Sequence, residues 1–165
     1  MKIYLMRHGH AETNAPSDNL RKLSLRGIDE VKLMSQWLTG HLSAKLTILA
    51  SPLARTFETA KIVHQKIGSK LITTDTLKPE ANPQDILTLL EKEKGDVLLI
   101  SHMPLVSLLA SCFIWGEPQD RLHFKTAGLC EIEISEVGFG KGKLLFLIQP
   151  TCIPWEKETV QPKNP

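Results

Sequence analysis

The stretch KIYLMRHGHAE, residues 2–12, starts as a buried strand and ends in charged and polar side chains. Its first residues are mostly apolar, and Arg7, His8, Gly9 and His10 follow at once. A guanidinium and two imidazoles therefore stand side by side where the strand ends. Ligands of open α/β sheets bind outside the carboxyl ends of the strands, so this stretch predicts both the first strand and one wall of a binding site.

Apolar runs and amphipathic segments alternate along the rest of the chain. Strands are predicted at 46–50, 70–75, 96–101, 129–135 and 143–149, and helices at about 25–40, 54–67, 83–94 and 104–115. Strands without polar alternation are typical of a sheet that is covered on both faces. Because the last two strands follow each other closely, we expect a hairpin. The pattern predicts a three-layer α/β/α sandwich with a mixed, mostly parallel central sheet.

Size and composition limit the classes of protein to consider. The chain has 165 residues, 42% of them hydrophobic, which suits one domain over 1–150 with a C-terminal tail over 151–165. The net charge is only +2 and no block of Lys and Arg occurs, so we expect no nucleic-acid partner. No apolar run approaches the length of a membrane span. Three cysteines without CxxC spacing indicate reduced thiols and a cytoplasmic location.

Two later strands end in side chains that match Arg7 and His8. Ser51 and Arg55 follow the predicted strand at 46–50, and His102 follows the one at 96–101. If these strands are neighbours in the sheet, two guanidiniums and two imidazoles meet in one pocket. Arginine offers a planar, bidentate fork to phosphate, so the pocket is predicted to bind a phosphate group.

One imidazole of such a pocket can act as a nucleophile toward phosphorus. A neutral histidine can hold a phosphoryl group covalently, and its ordinary pKa of ~6.5 leaves it largely neutral near pH 7. Nearby arginines lower that pKa further. Gly9 is expected to let the backbone approach the phosphate, with its N–H as an additional donor.

These motifs also resemble a known family. RHG after the first strand, SPLARTFETA after the second and SHMP after a later one are similar to the motifs of the histidine phosphatase superfamily, which has the phosphoglycerate-mutase-like fold. The resemblance spans nearly the whole chain. It implies His8 as the phosphorylated nucleophile, Arg7 and Arg55 as phosphate ligands, and His102 as a phosphate ligand that stabilises developing charge. It implies no cofactor and no metal.

The length of the chain favours one branch of that family. The long insertion that covers the pocket of mutase-like members is missing, so we expect no large cap and an open site. The chain resembles the SixA-type branch, which acts on protein phosphohistidine. The implied partners are a histidine-containing phosphotransfer domain of a two-component system or a phosphocarrier protein, with inorganic phosphate as the product.

Four further residues are candidates for the rim or for substrate contacts. The segment DNLRKLSLRG resembles a stretch of the same branch and places Asp18 and Arg21 at the rim. Asn14 stands at the spacing of a phosphate-contacting Asn of mutase-like members. Glu80 is the nearest match to the general acid of members that cleave phosphoesters, and we expect it to be dispensable toward phosphohistidine, because imidazole is an easier leaving group than an alkoxide.

Other interpretations of the same residues stay open on the sequence alone. HGHAE places His8 and His10 at alternate positions with Glu12 beyond, a spacing that metallohydrolases use. Arg55 also fits a solvated helix residue, and His102 fits a hydrogen-bonded core histidine. Two other functions remain: a phosphatase of small phosphate esters or sugar phosphates, and a non-catalytic module that binds phosphoproteins.

Overall fold

The alternating segments fold as strands and helices in chain order. The computed structural model describes residues 1–42 and 46–154. Its strands are β1 (Lys2–Arg7), β2 (Leu46–Ala50), β3 (Lys70–Thr73), β4 (Asp96–Ser101), β5 (Leu129–Ile134) and β6 (Gly142–Ile148). Its α-helices are α1 (Leu25–Thr39), α2 (Ala54–Ile67), α3 (Asp85–Leu90) and α4 (Leu105–Trp115).

The strands form one sheet of order β3-β2-β4-β1-β5-β6. Strands β1 to β4 run parallel, whereas β5 and β6 are antiparallel to their neighbours. The mixed, mostly parallel sheet and the final hairpin are therefore confirmed. Strand β4 lies between β2 and β1, so the carboxyl ends of the three strands that carry the predicted site residues are adjacent.

Helices cover both faces of this sheet because the side chains of the central strands are apolar in both directions. On β1, Ile3 and Leu5 pack into a core with α3 and α4, which includes Phe113. The alternate residues Tyr4 and Met6 pack into a second core with α1 and α2. These two cores confirm the three-layer sandwich.

Local signals fix most helix ends close to their predicted positions. The hydroxyl of Ser24 caps α1 by accepting the N–H of Gly27. Gly68, with a φ of 68°, ends α2 in the left-handed region, where glycine is favoured.

Two predicted elements are shorter than expected. Strand β3 stops at Thr73, because the Thr74 hydroxyl caps a 3₁₀ helix over Asp75–Leu77. Helix α3 covers only Asp85–Leu90, since the charged residues after it have no apolar side chain to bury.

The predicted tail is described only in its first part. Pro150–Cys152 form a 3₁₀ helix, and Ile153 packs against the core under α1 and α2. Residues 155–165 lie outside the described residues, so the boundary at 150 stays a prediction. Within 1–42 and 46–154, no helix has both the length and the apolar character that a membrane crossing requires.

Candidate active site

The pairing of β1 with β4 brings two histidines together. Arg7 is opposite Ser101 in the parallel register, so His8 and His102 both follow their strands at the same level. The His8 N–H donates to the Ser101 carbonyl at 3.0 Å, which continues the strand pairing by one residue. The centroids of the two imidazole rings are 5.1 Å apart.

The orientation of the His8 ring defines its free nitrogen. Nδ1 lies 2.7 Å from the Gly9 carbonyl oxygen. A carbonyl oxygen only accepts hydrogen bonds, so Nδ1 carries the proton and donates it. The neutral ring therefore keeps its lone pair on Nε2, the atom that a nucleophile at phosphorus requires.

The surroundings of His8 keep its ring neutral. Burial lowers its pKa to about 4, and the positive charges of Arg55 and Arg7 lower it as well, against the opposing effect of the Gly9 hydrogen bond. At pH 7 the ring is thus an unprotonated base with an available lone pair. The sequence predicted that nearby arginines lower this pKa. The pKa is indeed lowered, although burial contributes more to the shift than the arginines do.

An NMR titration tests this pKa. We expect the Cε1 proton of His8, assigned by comparison with His8→Gln, to titrate with a midpoint near 4. A histidine of ordinary pKa titrates near ~6.5. Because the folded pKa is the lower one, the ring stays neutral as the pH falls through 6.5 and takes up its proton only near pH 4. A midpoint at pH 6 or above would contradict the neutral nucleophile.

Arg7 is held beside His8 by the chain segment before β5. Its Nη1 donates to the Phe124 carbonyl at 2.8 Å. Its Nε is buried and has no hydrogen-bond partner among the described residues. One N–H of this guanidinium is therefore free to donate to an anion.

Arg55 is the second cation of the site, and a carboxylate engages it. It stands in the first turn of α2 and is 5% exposed. Its Nη1 donates to the Asp18 carbonyl at 2.8 Å and its Nη2 to the Asp18 carboxylate at 3.0 Å. Arg21 binds the other Asp18 oxygen at 3.1 Å, and the hydrogen bonds from Arg21 and Arg55 lower the pKa of Asp18. The structure thus places Asp18 and Arg21 next to Arg55, and their role at the rim stays a prediction.

His102 is more deeply enclosed than His8. Its Nε2 lies 2.9 Å from the Ser51 hydroxyl and 2.9 Å from the Thr56 hydroxyl, whereas its Nδ1 is buried without a partner among the described residues. Burial lowers its pKa to about 3, and the charge of Arg55 adds to the effect. The ring is therefore neutral at pH 7.

Gly9 is closely packed against α1 and its N–H has a partner within the protein, so its role as a phosphate donor stays a prediction. Its N–H donates to the Thr59 hydroxyl at 3.2 Å, and that hydroxyl donates to the Arg55 carbonyl at 2.7 Å. A Cβ on Gly9 would lie 2.7 Å from the Gly27 carbonyl oxygen and 2.7 Å from a Val31 methyl carbon. Glycine is required here because α1 packs directly on the backbone, and its N–H is already used.

The remaining candidates make no side-chain hydrogen bond to this cluster among the described residues. Asn14 and Glu80 are exposed and make no side-chain hydrogen bond to the described residues. The His10 ring binds the Ser24 hydroxyl at 2.8 Å, at the start of α1. The described residues contain no group of three His, Cys, Asp or Glu side chains that could hold a metal.

Sequence reasoning did not find several residues that position the site. Thr56 and Thr59 belong to SPLARTFETA and follow Arg55 by one and by four residues. Their hydroxyls, close to Arg55 in sequence, were the signal that could have identified them. Phe124 and Ala127 contribute only backbone groups, and Ala127 donates its N–H to the His8 carbonyl at 3.0 Å. Backbone contacts from a distant loop leave no signal in side-chain identity.

Two neutral imidazoles and one guanidinium at the ends of β1 and β4, with a second guanidinium from the first turn of α2, define the site of an enzyme that transfers phosphoryl groups. A sequence profile of the histidine phosphatase superfamily (branch 1) matches residues 3–81. The phosphohistidine phosphatase SixA of Escherichia coli (strain K12) is 31% identical over 148 residues, which cover 85% of this chain and 89% of that protein. The chain therefore belongs to the histidine phosphatase superfamily, and it is a phosphatase.

Further similar proteins agree with this assignment. The SixA homolog of Haemophilus influenzae is 36% identical over 119 residues, which cover 64% of this chain and 73% of that protein. A solved structure of the protein histidine phosphatase SixA, complexed with tungstate, superposes with a TM-score of 0.82 at 30% identity and covers 92% of this chain and 99% of that one.

Proposed function

We propose that this phosphatase removes the phosphoryl group from phosphohistidine on a partner protein. The observation that carries the proposal is the His8 ring, whose Nδ1 is bound to the Gly9 carbonyl and whose Nε2 lone pair is free. The substrate phosphoimidazole takes a proton from solvent on its other ring nitrogen. Nε2 of His8 then attacks phosphorus, the P–N bond of the substrate breaks, and the substrate imidazole leaves as a neutral ring. Water then attacks the phosphorus on His8, which releases inorganic phosphate and restores the ring.

Fixed donors surround the transferring group in this scheme. The guanidiniums of Arg7 and Arg55 bind the phosphoryl oxygens, and His102 donates to them as a neutral ring. Such donors stabilise the negative charge of the transition state because they need no reorganisation when the reaction occurs. The Asp18 carboxylate lies on Arg55, and hydrogen bonds from Arg21 and Arg55 lower its pKa, so it is ionised and is a poor proton donor at pH 7. This suits a leaving group as good as imidazole better than an alkoxide.

The surface around the site favours a protein substrate over a small metabolite. Three large apolar side chains are exposed on the 3₁₀ helix that holds Asp18, at the start of α1 and on α2: Leu20 (57%), Leu25 (81%) and Phe57 (39%). Leu20 ends the 3₁₀ helix whose first residue, Asp18, binds Arg55, and Phe57 follows Arg55 by two residues. Leu25 begins α1, and the nearby Leu23 N–H is bound by the Glu58 carboxylate of α2. We name Leu20, Leu25 and Phe57 the apolar rim.

A partner protein covers such side chains, and exposed apolar groups next to a site are typical of protein interfaces. We propose a histidine-containing phosphotransfer domain of a two-component system or a phosphocarrier protein as the partner, because each carries a phosphohistidine on its surface. Both partners are compatible with the site. Three free cysteines among the described residues accord with a cytoplasmic location, which is part of the proposal.

Rim variants test the protein substrate. We expect Leu20→Ser and Leu25→Ser to lower kcat/KM toward a phosphorylated phosphotransfer domain about tenfold, the effect of losing roughly 1.4 kcal/mol of contact. Toward free phosphohistidine they should leave kcat/KM unchanged, because the rim lies outside the phosphate site. The measurement is the initial rate of phosphate release from each substrate.

Leu145→Ser is the matched control, since Leu145 is 42% exposed on β6, two strands away from β1. It should leave both substrates unaffected. Equal losses on both substrates in the rim variants would count against a docking role. Faster turnover of p-nitrophenyl phosphate or sugar phosphates than of any phosphohistidine protein would instead favour the small-ester phosphatase.

A further inference from the structure

Two buried hydroxyls share one nitrogen of His102. Ser51 and Thr56 are each 0% exposed, and both hydroxyl oxygens lie 2.9 Å from Nε2. Ser51 follows β2, and Thr56 stands in the first turn of α2. The β2 side of the ring is therefore fixed, and Nδ1 is the nitrogen left for a ligand.

The hydrogens of the two hydroxyls decide which nitrogen of His102 is protonated. Neither hydroxyl reaches solvent, so each hydrogen needs an acceptor within the protein. Among the described residues, Nε2 of His102 is the acceptor that both hydroxyls contact. Nε2 has one lone pair and accepts from one hydroxyl at a time. Its protonation would leave neither hydroxyl with this acceptor, which is costly in a buried site.

The other tautomer satisfies the same groups better. With its lone pair on Nε2, the ring accepts from a hydroxyl, and Nδ1 then carries the proton. Nδ1 is buried and has no partner among the described residues, and the ring lies beside His8. A proton at Nδ1 can be donated to a phosphoryl oxygen, whereas a lone pair there would repel it.

We propose that Ser51 and Thr56 are positioning residues that hold His102 as the neutral Nδ1–H tautomer, so that Nδ1 donates to the transferring phosphoryl group. The role of Nδ1 rests on the proposed function, whereas the tautomer itself is a property of the free enzyme. Because burial keeps the ring neutral, it has one donor only, and the hydroxyls determine where that donor points.

The first test reads the tautomer without any substrate. In the enzyme labelled with ¹⁵N-histidine, we expect Nδ1 of His102 to show the chemical shift of a protonated nitrogen and Nε2 that of an unprotonated one. The inverse pattern, with the proton on Nε2, would overturn the proposal. This outcome is independent of whether phosphohistidine is the substrate, so it separates a failure here from a failure of the proposed function.

The second test removes the hydroxyls. We expect Ser51→Ala combined with Thr56→Val to lower kcat toward phosphohistidine about tenfold or more, since a transition-state donor is then oriented for only part of the time. KM should change little, and the ¹⁵N spectrum should show a larger Nε2–H population. The single variant Thr56→Ser keeps both hydroxyls, because Ser51 is native in it. Its kcat and its ¹⁵N spectrum should therefore match those of the native enzyme.

Ser111→Ala is the matched control for the loss of a buried hydroxyl. Ser111 lies in α4, is 0% exposed, and its hydroxyl has no partner among the described residues. Its removal should leave kcat and the His102 shifts unchanged. A double variant with native kcat and native shifts, or a loss of kcat with unmoved shifts, would contradict the positioning role.

Discussion

Replacing His8 with alanine is expected to abolish both turnover and formation of a phosphoenzyme. The variant removes the nucleophilic Nε2, and loss of a nucleophile lowers kcat by at least about 10³-fold in enzymes of this kind. Incubation with a ³²P-labelled phosphohistidine protein should label the native enzyme and not the variant. The label should be acid-labile and base-stable, as a phosphoramidate bond is.

His41→Ala is the matched control for this variant. His41 is exposed and stacks on Trp37, away from the ends of β1 and β4, so its loss should leave labelling and turnover unchanged. If the His8→Ala protein is still labelled and active, a residue other than His8 is the nucleophile. A label that is stable in acid would indicate a phosphate ester, and one that is labile in both acid and base would indicate an acyl phosphate, in place of a phosphohistidine.

Replacing Arg55 with lysine is expected to lower kcat/KM about 100-fold, although the charge is kept. Arg55 presents a planar fork, and lysine offers a single point charge that cannot bind two oxygens in a fixed geometry. The 5% exposure of Arg55 leaves no solvent to compensate for the lost donor. The inhibition constant of inorganic phosphate should rise together with the fall in kcat/KM.

Arg26→Lys provides the comparison, because the Arg26 side chain is 70% exposed in an ion pair with Glu30 on the surface of α1. Exposed pairs of this kind contribute little, so activity and melting temperature should stay unchanged. Native phosphate inhibition in Arg55→Lys would show that Arg55 serves only its ion pair with Asp18 and does not bind the anion.

The sequence predicted the part of the site that depends on strand order. Arg7, His8, Arg55 and His102 were found because each follows an apolar run, and parallel strands end at the same edge. The adjacency of β2, β4 and β1 was a condition of that argument, and the sheet confirms it.

Other features could not be predicted, because they depend on packing between distant segments. The sequence indicated a backbone role for Gly9 toward phosphate, and it could not show that Gly27 and Val31 on α1 also leave no room for a Cβ there. The rim position of Asp18 was predicted, but its two hydrogen bonds to Arg55 span 37 residues of chain and required coordinates. Hydrophobic periodicity in the sequence shows which face of a helix is buried. It does not show which polar atoms form hydrogen bonds with each other.

The pairing of β1 with β4 also fixes the gap in which the reaction takes place. Neighbouring strands of any sheet lie about 4.8 Å apart, and the imidazole centroids of His8 and His102 are 5.1 Å apart. The spacing of the two rings thus follows from main-chain geometry, which mutation of surface loops leaves untouched. Loops around the mouth are free to diverge and to select new partners while the distance across the reacting group stays constant.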